Sequence, residues 1–267
     1  MHFRRVGIAR EVTKQSLSGL PVRPWRYLTR LPGFVQPRAS QHEPTIRLDA
    51  LSHLSLQARM SQGLPSLSNL STNATARSLW SSSDCLLGAG AVIIQPSTDR
   101  VCIIEDLPKH AGQYFLPRGR KDTGESLEQA ALREALEESS YHATFLPALH
   151  AHLQPRSPEQ RVALKTPAGR MSTEAFYIMQ TPYAHPRREP AGYEHIVFWY
   201  LCQIPEDAQP EVGTRMPDEQ GFVTHLLPFN EALDKMRDGG DGFQHLVLER
   251  GIQIWKETQK KLAEAAV

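Results

Sequence analysis

Between residues 119 and 141 the chain reads G-R-K-D-T-G-E-S-L-E-Q-A-A-L-R-E-A-L-E-E-S-S-Y, with Gly119, Glu125, Arg133, Glu134, Glu137 and Glu138 at fixed offsets. This spacing constrains the fold more than any other feature. Ser126 followed three residues later by Gln129 is a capping box, and residues 127–138 are largely good helix formers, so a helix starts at Ser126. Glu134 and Glu138 are then i,i+4 neighbours with Glu137 beside them. Like charges so placed destabilise a helix by a few tenths of a kcal/mol each unless something neutralises them.

A divalent cation would do so. Hard oxygen ligands that leave room for water and phosphate suit Mg²⁺, and Mn²⁺ tolerates the same set. Such an ion offsets charge on phosphate oxygens and lowers the pKa of a water that can attack phosphorus. Arg133, adjacent to the carboxylates, can grip one bidentately. A solvated charged helix face is the plain alternative. Upstream, Tyr114-Phe115-Leu116-Pro117 reads as a strand end, and Arg118-Gly119-Arg120-Lys121 as a basic loop. Gly119 permits positive φ and a close backbone approach to an ion. Arg118, Arg120 and Lys121 are candidates to hold substrate phosphates.

The segment resembles the Nudix box, G-x5-E-x7-R-E-U-x-E-E-x-G-U with U apolar. Six fixed identities at residue frequencies of about 5–7% arise by chance on the order of once in 10⁵ chains of this length. The resemblance implies an α/β fold, a Nudix-like α/β/α sandwich with a central mixed β-sheet. It also implies a metal site of Gly119 (through its carbonyl), Glu134, Glu137 and Glu138, a Glu125–Arg133 brace, and catalysis by Glu134, Glu137 and Glu138. The implied reaction is Mg²⁺- or Mn²⁺-dependent hydrolysis of the pyrophosphate bond in a nucleoside diphosphate linked to a moiety X, or in a related polyphosphate such as a diphosphoinositol polyphosphate. Two positions depart from the pattern. Ser140 stands where the last glycine belongs, and a serine in a left-handed helix cap costs roughly 1 kcal/mol. Ala135 offers a smaller knob to the core than the usual Leu, Val or Ile. The departure at Ser140 leaves a catalytically silent, Nudix-like binding module as the alternative function. Retention of all four glutamates argues against it.

Charge is unevenly distributed. Residues 1–40 hold seven arginines, Lys14 and a single acid, Glu11, a balance of +7 in a chain of net +1, which leaves −6 for the rest. The acidic remainder argues against nonspecific nucleic-acid binding, and mRNA cap removal would need an RNA-binding surface that the sequence does not display. Cys85, Cys102 and Cys202 lack C-x-x-C spacing and read as buried free thiols in a reducing compartment. No apolar run reaches the length of a membrane span, so no membrane partner is expected.

Residues 1–83, rich in Ser, Pro, Arg and Gln, read as a disordered or transit-like N-terminal extension, and 84–267 as the Nudix domain. A cytoplasmic location is expected, with mitochondrial import through the Arg-rich first 40 residues as the alternative. Strands are expected at 86–94, 101–104, 143–149, 175–179, 196–204 and 222–227, and helices at 230–237 and 243–265. Insertions at 154–172, with Arg156, Arg161, Lys165 and Arg170, and at 182–190, with Arg187 and Arg188, interrupt this plan. Their cations, with Arg118, Arg120 and Lys121, favour a phosphate-rich small-molecule substrate, a diphosphoinositol or dinucleoside polyphosphate, over a sugar nucleotide. His150 and His152 would share one strand face, more a hydrated pair than a zinc site. A distant acid often supplements the box in this family, and Glu194, Asp218 and Glu219 are the candidates. Oligomeric state is not legible in the sequence.

Overall fold

The computed structural model describes residues 67–72, 74, 78–107, 111–155, 158, 170–184, 192–217 and 219–266. The N-terminal reading for residues 1–66, and the positions Arg156, Arg161, Lys165, Arg187, Arg188 and Asp218, lie outside the described residues. Two compact units divide the chain, Met1–Ala76 and Arg77–Val267. The elements below belong to the second.

In chain order these are β1 (Cys85–Gln95), β2 (Arg100–Asp106), β3 (Tyr114–Phe115), β4 (Arg118–Arg120), α1 (Leu127–Ser139), β5 (Thr144–Phe145), β6 (Tyr177–Ala184), β7 (Gly192–Gln203), β8 (Phe222–Pro228), α2 (Phe229–Gly239) and α3 (Gly242–Ala265). The eight strands form one mixed sheet in the order β3-β2-β1-β7-β5, with β4 pairing β1, β6 pairing β7 and β8 pairing β2. Only β1 and β7 run parallel, in register from Cys85↔Glu194 to Ile94↔Gln203. The fold is an α/β/α sandwich.

Strand alternation sends successive side chains to opposite faces. Ala89, Ala91 and Ile93 of β1, with Cys102, Tyr200 and Cys202, pack against Ala130, Ala131 and Ala135 of α1. Three alanines let that helix lie close to the sheet, and Ala135 is fully buried, so its small knob matches a thin layer. On the other face Val92, Ile94, Trp199 and Leu201 meet Leu248, Ile252 and Trp255 of α3 and Met236 of α2. Gly251 belongs to this contact, for a Cβ there would stand 3.1 Å from Val92 Cγ1 and 3.2 Å from Leu201 Cδ2.

Several expectations need correction. The segment at 118–121 is not a loop: Arg118–Arg120 forms β4, paired with β1 through Gly88↔Arg120, Ala89↔Gly119 and Gly90↔Arg118. The strand expected at 143–149 shrinks to Thr144–Phe145 with an isolated bridge Ala148↔Ser172, since Pro147 has no N–H to give a ladder. His150 and His152 therefore lie outside any strand. The second insertion begins later than 182, because Pro182, Tyr183 and Ala184 pair with Glu194, Tyr193 and Gly192. Cys102 and Cys202 are buried, whereas Cys85 is half-buried. Among the described residues no helix is long and apolar enough to cross a membrane.

Candidate active site

Helix α1 starts where local chemistry says it should. The Ser126 side chain accepts from Gln129 N and Gln129 Oε1 accepts from Ser126 N, a reciprocal cap contributing about 1 kcal/mol. The helix ends at Ser140, whose φ of 64° and ψ of 12° are left-handed. Between these ends Glu134 and Glu138 are buried and Glu137 is half-buried.

Arg133 organises the carboxylates. Its Nε and Nη2 reach Glu125 Oε1 and Oε2 at 2.9 and 3.0 Å, a two-pronged pair. Nη1 donates to Glu134 Oε1 at 2.8 Å and Glu137 Oε2 at 2.9 Å, and Nη2 also to the Arg120 carbonyl at 2.7 Å. Asp122 N donates to Glu125 Oε2 at 2.9 Å, which closes the turn between β4 and α1. Arg133 and Asp122 together hold the Glu125 carboxyl below the usual range, against the effect of burial.

Gly119 is a glycine for a different reason from the one its sequence context suggests. It is not among the glycines of positive φ, which are Gly112, Gly124 and Gly213 among the described residues. A Cβ at Gly119 would stand 2.1 Å from Glu134 Cδ and 2.2 Å from either carboxylate oxygen. The residue is bare so that the Glu134 carboxylate can lie directly against β4.

Glu138 is tied to the same strand, its Oε2 accepting from Arg118 N at 2.7 Å. Burial pushes its carboxyl well above the usual range despite that bond, and the charges of Glu134 and Glu219 add to the effect. Glu134 is pushed up to about 7, first by burial, which outweighs Arg133, and further by Glu137 and Glu219. Glu134 and Glu137 share hydrogen bonds from the one Arg133 guanidinium, while Arg118 acts on Glu138 through its charge. Glu134 Oε2, Glu137 Oε1 and Glu138 Oε1 accept no hydrogen bond among the described residues. This donor set fits a hard divalent cation. As the side chains stand, no three acids, histidines or cysteines among the described residues converge on one metal position; Arg133 and Arg118 N hold three of the carboxylate oxygens.

The phosphate-binding candidates divide. Residues directly opposite in an antiparallel pair share a face, so Arg118 and Arg120 leave β4 beside Gly90 and Gly88, on the face away from α1. Arg118 Cβ lies 2.8 Å from the position of a Cβ on Gly90, beside the Trp199 ring, and His195 Nε2 lies 2.6 Å from that on Gly88. Burial, followed by the charges of Arg118 and Arg120, holds the His195 ring down to about 4. Neither arginine pairs with a carboxylate among the described residues. Lys121 lies past the strand end, its Nζ on the Asp122 carbonyl at 2.9 Å.

Of the two distant acids among the described residues, Glu194 and Glu219, it is Glu219 whose charge acts on both Glu134 and Glu138. Glu194 sits on β7 and accepts from Gln180 Nε2 at 3.3 Å. His150 and His152 have ring centroids 5.6 Å apart, with no third ligand among the described residues. Trp199, His195 and Arg215 escaped the sequence reading, since nothing local marks them.

Comparison with known proteins gives a match to the family model described as NUDIX domain over residues 86–246. Among solved structures, a NUDIX hydrolase from Nitrosomonas europaea is similar at 18% identity and a TM-score of 0.40, covering 63% of this chain and 88% of its own. A NUDIX-family hydrolase from Clostridium perfringens has 13% identity, a TM-score of 0.40, and coverage of 64% and 97%. The E. coli dihydroneopterin triphosphate pyrophosphohydrolase has 13% identity, a TM-score of 0.39, and coverage of 61% and 92%. The family match runs from β1 through the carboxylate helix into α3, over more than half the chain, and the chain therefore belongs to the Nudix family of hydrolases, whose members generally act on nucleoside diphosphate derivatives.

Proposed function

We propose that this Nudix-type pyrophosphohydrolase splits the P–O–P bond of a phosphate-rich small molecule with Mg²⁺ or Mn²⁺ held by Glu134, Glu137, Glu138 and the Gly119 carbonyl. The observation that carries the reading is the carboxylate cluster on one face of α1, in which Glu134 and Glu138 are buried and Glu137 stands beside them, with one oxygen of each accepting no hydrogen bond among the described residues. The ion supplies charge neutralisation on the phosphate oxygens and an acidified water. Arg133 holds Glu134 and Glu137 in place from one nitrogen while Glu125 fixes the guanidinium from the other side. A carboxylate of the cluster takes the proton from the attacking water, and Glu219 is the acid from outside the box that assists. Arg118 and Arg120, without a carboxylate partner among the described residues on the far face of β4, bind phosphates of X that reach round the strand, with Lys121 at its end.

Concentrated cations favour ligands with more phosphate than a sugar nucleotide offers. That supports diphosphoinositol or dinucleoside polyphosphates as the substrate class.

The test is a Mg²⁺-dependent assay of the purified chain on those compounds, NADH, ADP-ribose and capped RNA. Hydrolysis that EDTA abolishes and Glu138→Gln reduces by orders of magnitude, with an unchanged circular dichroism spectrum, is expected. Equal rates for wild type and variant sink the catalytic assignment. A preference for ADP-ribose or NADH that Arg120→Ala leaves unchanged removes the substrate class alone.

A further inference from the structure

Two glycines of β1, Gly88 and Gly90, stand on the face of the sheet opposite α1, and neither is among the glycines of positive φ. Backbone freedom therefore does not explain them. Strand β1 lies between β7 and β4 at this point, with Gly88↔Val197 and Gly90↔Trp199 on one side and Gly88↔Arg120 and Gly90↔Arg118 on the other. A Cβ on Gly90 would stand 2.5 Å from Trp199 Cζ3, 2.7 Å from Trp199 Cε3 and 2.8 Å from Arg118 Cβ. One on Gly88 would stand 2.6 Å from His195 Nε2 and 2.5 Å from the Gly119 carbonyl oxygen. Neighbouring strands lie about 4.7–4.9 Å apart, so a row of side chains on the middle strand normally separates those of the strands on either side. The two bare positions open that row, and rings from β7 reach through it towards the arginines of β4.

Both rings are held from behind. Trp199 is fully buried in the core that α3 covers. His195 is 7% exposed, with Tyr183 edge-on at 6.0 Å between ring centroids and Tyr183 in turn stacked on Tyr193 at 5.4 Å. His195 Nε2 is buried and makes no hydrogen bond, so the ring meets its neighbours as a packing surface. Long cationic side chains lay their stems along such surfaces and keep their charged ends free. After burial, the charges of Arg118 and Arg120 are what act on His195, and neither guanidinium pairs with a carboxylate among the described residues. An anion arriving on this face meets two cations with no ion pair to break.

We infer that His195 and Trp199 are positioning residues for Arg118 and Arg120: through the gaps at Gly88 and Gly90 they hold the two arginines as one anion-binding pair that takes a phosphate of X. This rests on the phosphate-rich substrate reading above and deepens it.

The experiment measures binding of inorganic tripolyphosphate to the full chain in EDTA by isothermal titration calorimetry, with a melting curve for each variant. Arg118→Ala and Arg120→Ala should each weaken binding by about 10-fold or more, the equivalent of one charge-assisted hydrogen bond. His195→Ala should weaken it by about 2- to 10-fold, because a long side chain without its support must be ordered on binding. In the Arg120→Ala background the same change should have little further effect. His195→Phe keeps a ring and lacks both nitrogens, so it should bind as the wild type does. Gly90→Ala, which sets a methyl between Trp199 and Arg118, should weaken binding in a chain that still melts cooperatively. Unchanged affinity in His195→Ala or in Gly90→Ala overturns the inference, as does a loss in His195→Ala that is equal with and without Arg120. A loss in His195→Phe as large as in His195→Ala overturns it too, since the nitrogens and not the ring would then contribute. Undiminished binding in both arginine variants, or none by the wild-type chain, removes the phosphate role of the arginines themselves.

Discussion

Gly119 and Glu134 occupy one another's space: the carboxylate of Glu134 lies where a Cβ on Gly119 would be, 2.1 Å from its carbon. Nearness of strand β4 to helix α1 at this point is what brings the Gly119 backbone and the Glu134 carboxylate to one place. Gly119→Ala should therefore displace the glutamate. Overpacking of this kind costs about 1–3 kcal/mol, and a misplacement of about 1 Å at a reacting group lowers rate on the order of 100-fold. The expected outcome is a folded protein with a modestly lower melting temperature and a kcat reduced by that order. An unchanged kcat would mean that Glu134 works from another position.

Arg133 makes five hydrogen bonds to Glu125, Glu134, Glu137 and the Arg120 carbonyl. Lysine cannot reproduce a planar fork. Arg133→Lys should lower stability by about 1–2 kcal/mol, at the lower end for charge-assisted bonds because the side chain is partly exposed. Paired with Glu125→Gln in urea unfolding, it should give a coupling of about 1 kcal/mol. Additive losses would show that the two residues do not act as a brace.

The raised carboxyls make stability depend on pH and metal together. Glu134 rises from 4.5 to about 7 and Glu138 rises well above its ordinary value. A carboxyl with a raised folded pKa binds more protons folded than unfolded, so it loses stability as pH climbs. Without metal, melting temperature should fall between about pH 4.5 and 7, and Glu134→Gln should flatten that fall. A cation that replaces the protons reverses the sign, so the thermal shift on adding Mg²⁺ should be larger at pH 8 than at pH 5. A shift independent of pH would separate the metal from these carboxylates.

The carboxylate helix was legible in the sequence residue by residue, because capping and helical periodicity are local. Ser126 and Gln129 stand where spacing alone puts them, and Ser140 has the left-handed cap that the family pattern implies. Strand β4 was not legible: Arg-Gly-Arg has no apolar alternation and is extended only because β1 offers it partners. Gly119 was singled out for positive φ and for a close backbone approach to an ion, whereas its φ is not positive and the Glu134 side chain, fifteen residues on, fills the space of its Cβ. Glu194 and Glu219 could not be ranked from sequence, and among the described residues it is Glu219 whose charge acts on Glu134 and Glu138. Arg215 carried no signal at all, since Thr224, to which it donates, meets the Ser139 carbonyl at the end of α1 only in the fold.

Ser140 itself tests that long-range logic. Replacing it with glycine removes a left-handed strain of roughly 1 kcal/mol, but it also removes the hydroxyl that Thr214 Oγ1 reaches at 3.2 Å, a bond contributing about 0.5–1.5 kcal/mol. The two effects oppose each other, so Ser140→Gly alone should change stability by less than about 1 kcal/mol. In a Thr214→Val background the bond is already gone, and the same substitution should then stabilise by about the full 1 kcal/mol. Chemical denaturation of the four proteins gives the comparison directly. Equal effects of Ser140→Gly in the two backgrounds would show that the hydroxyl contributes nothing to holding the segment that carries Glu219.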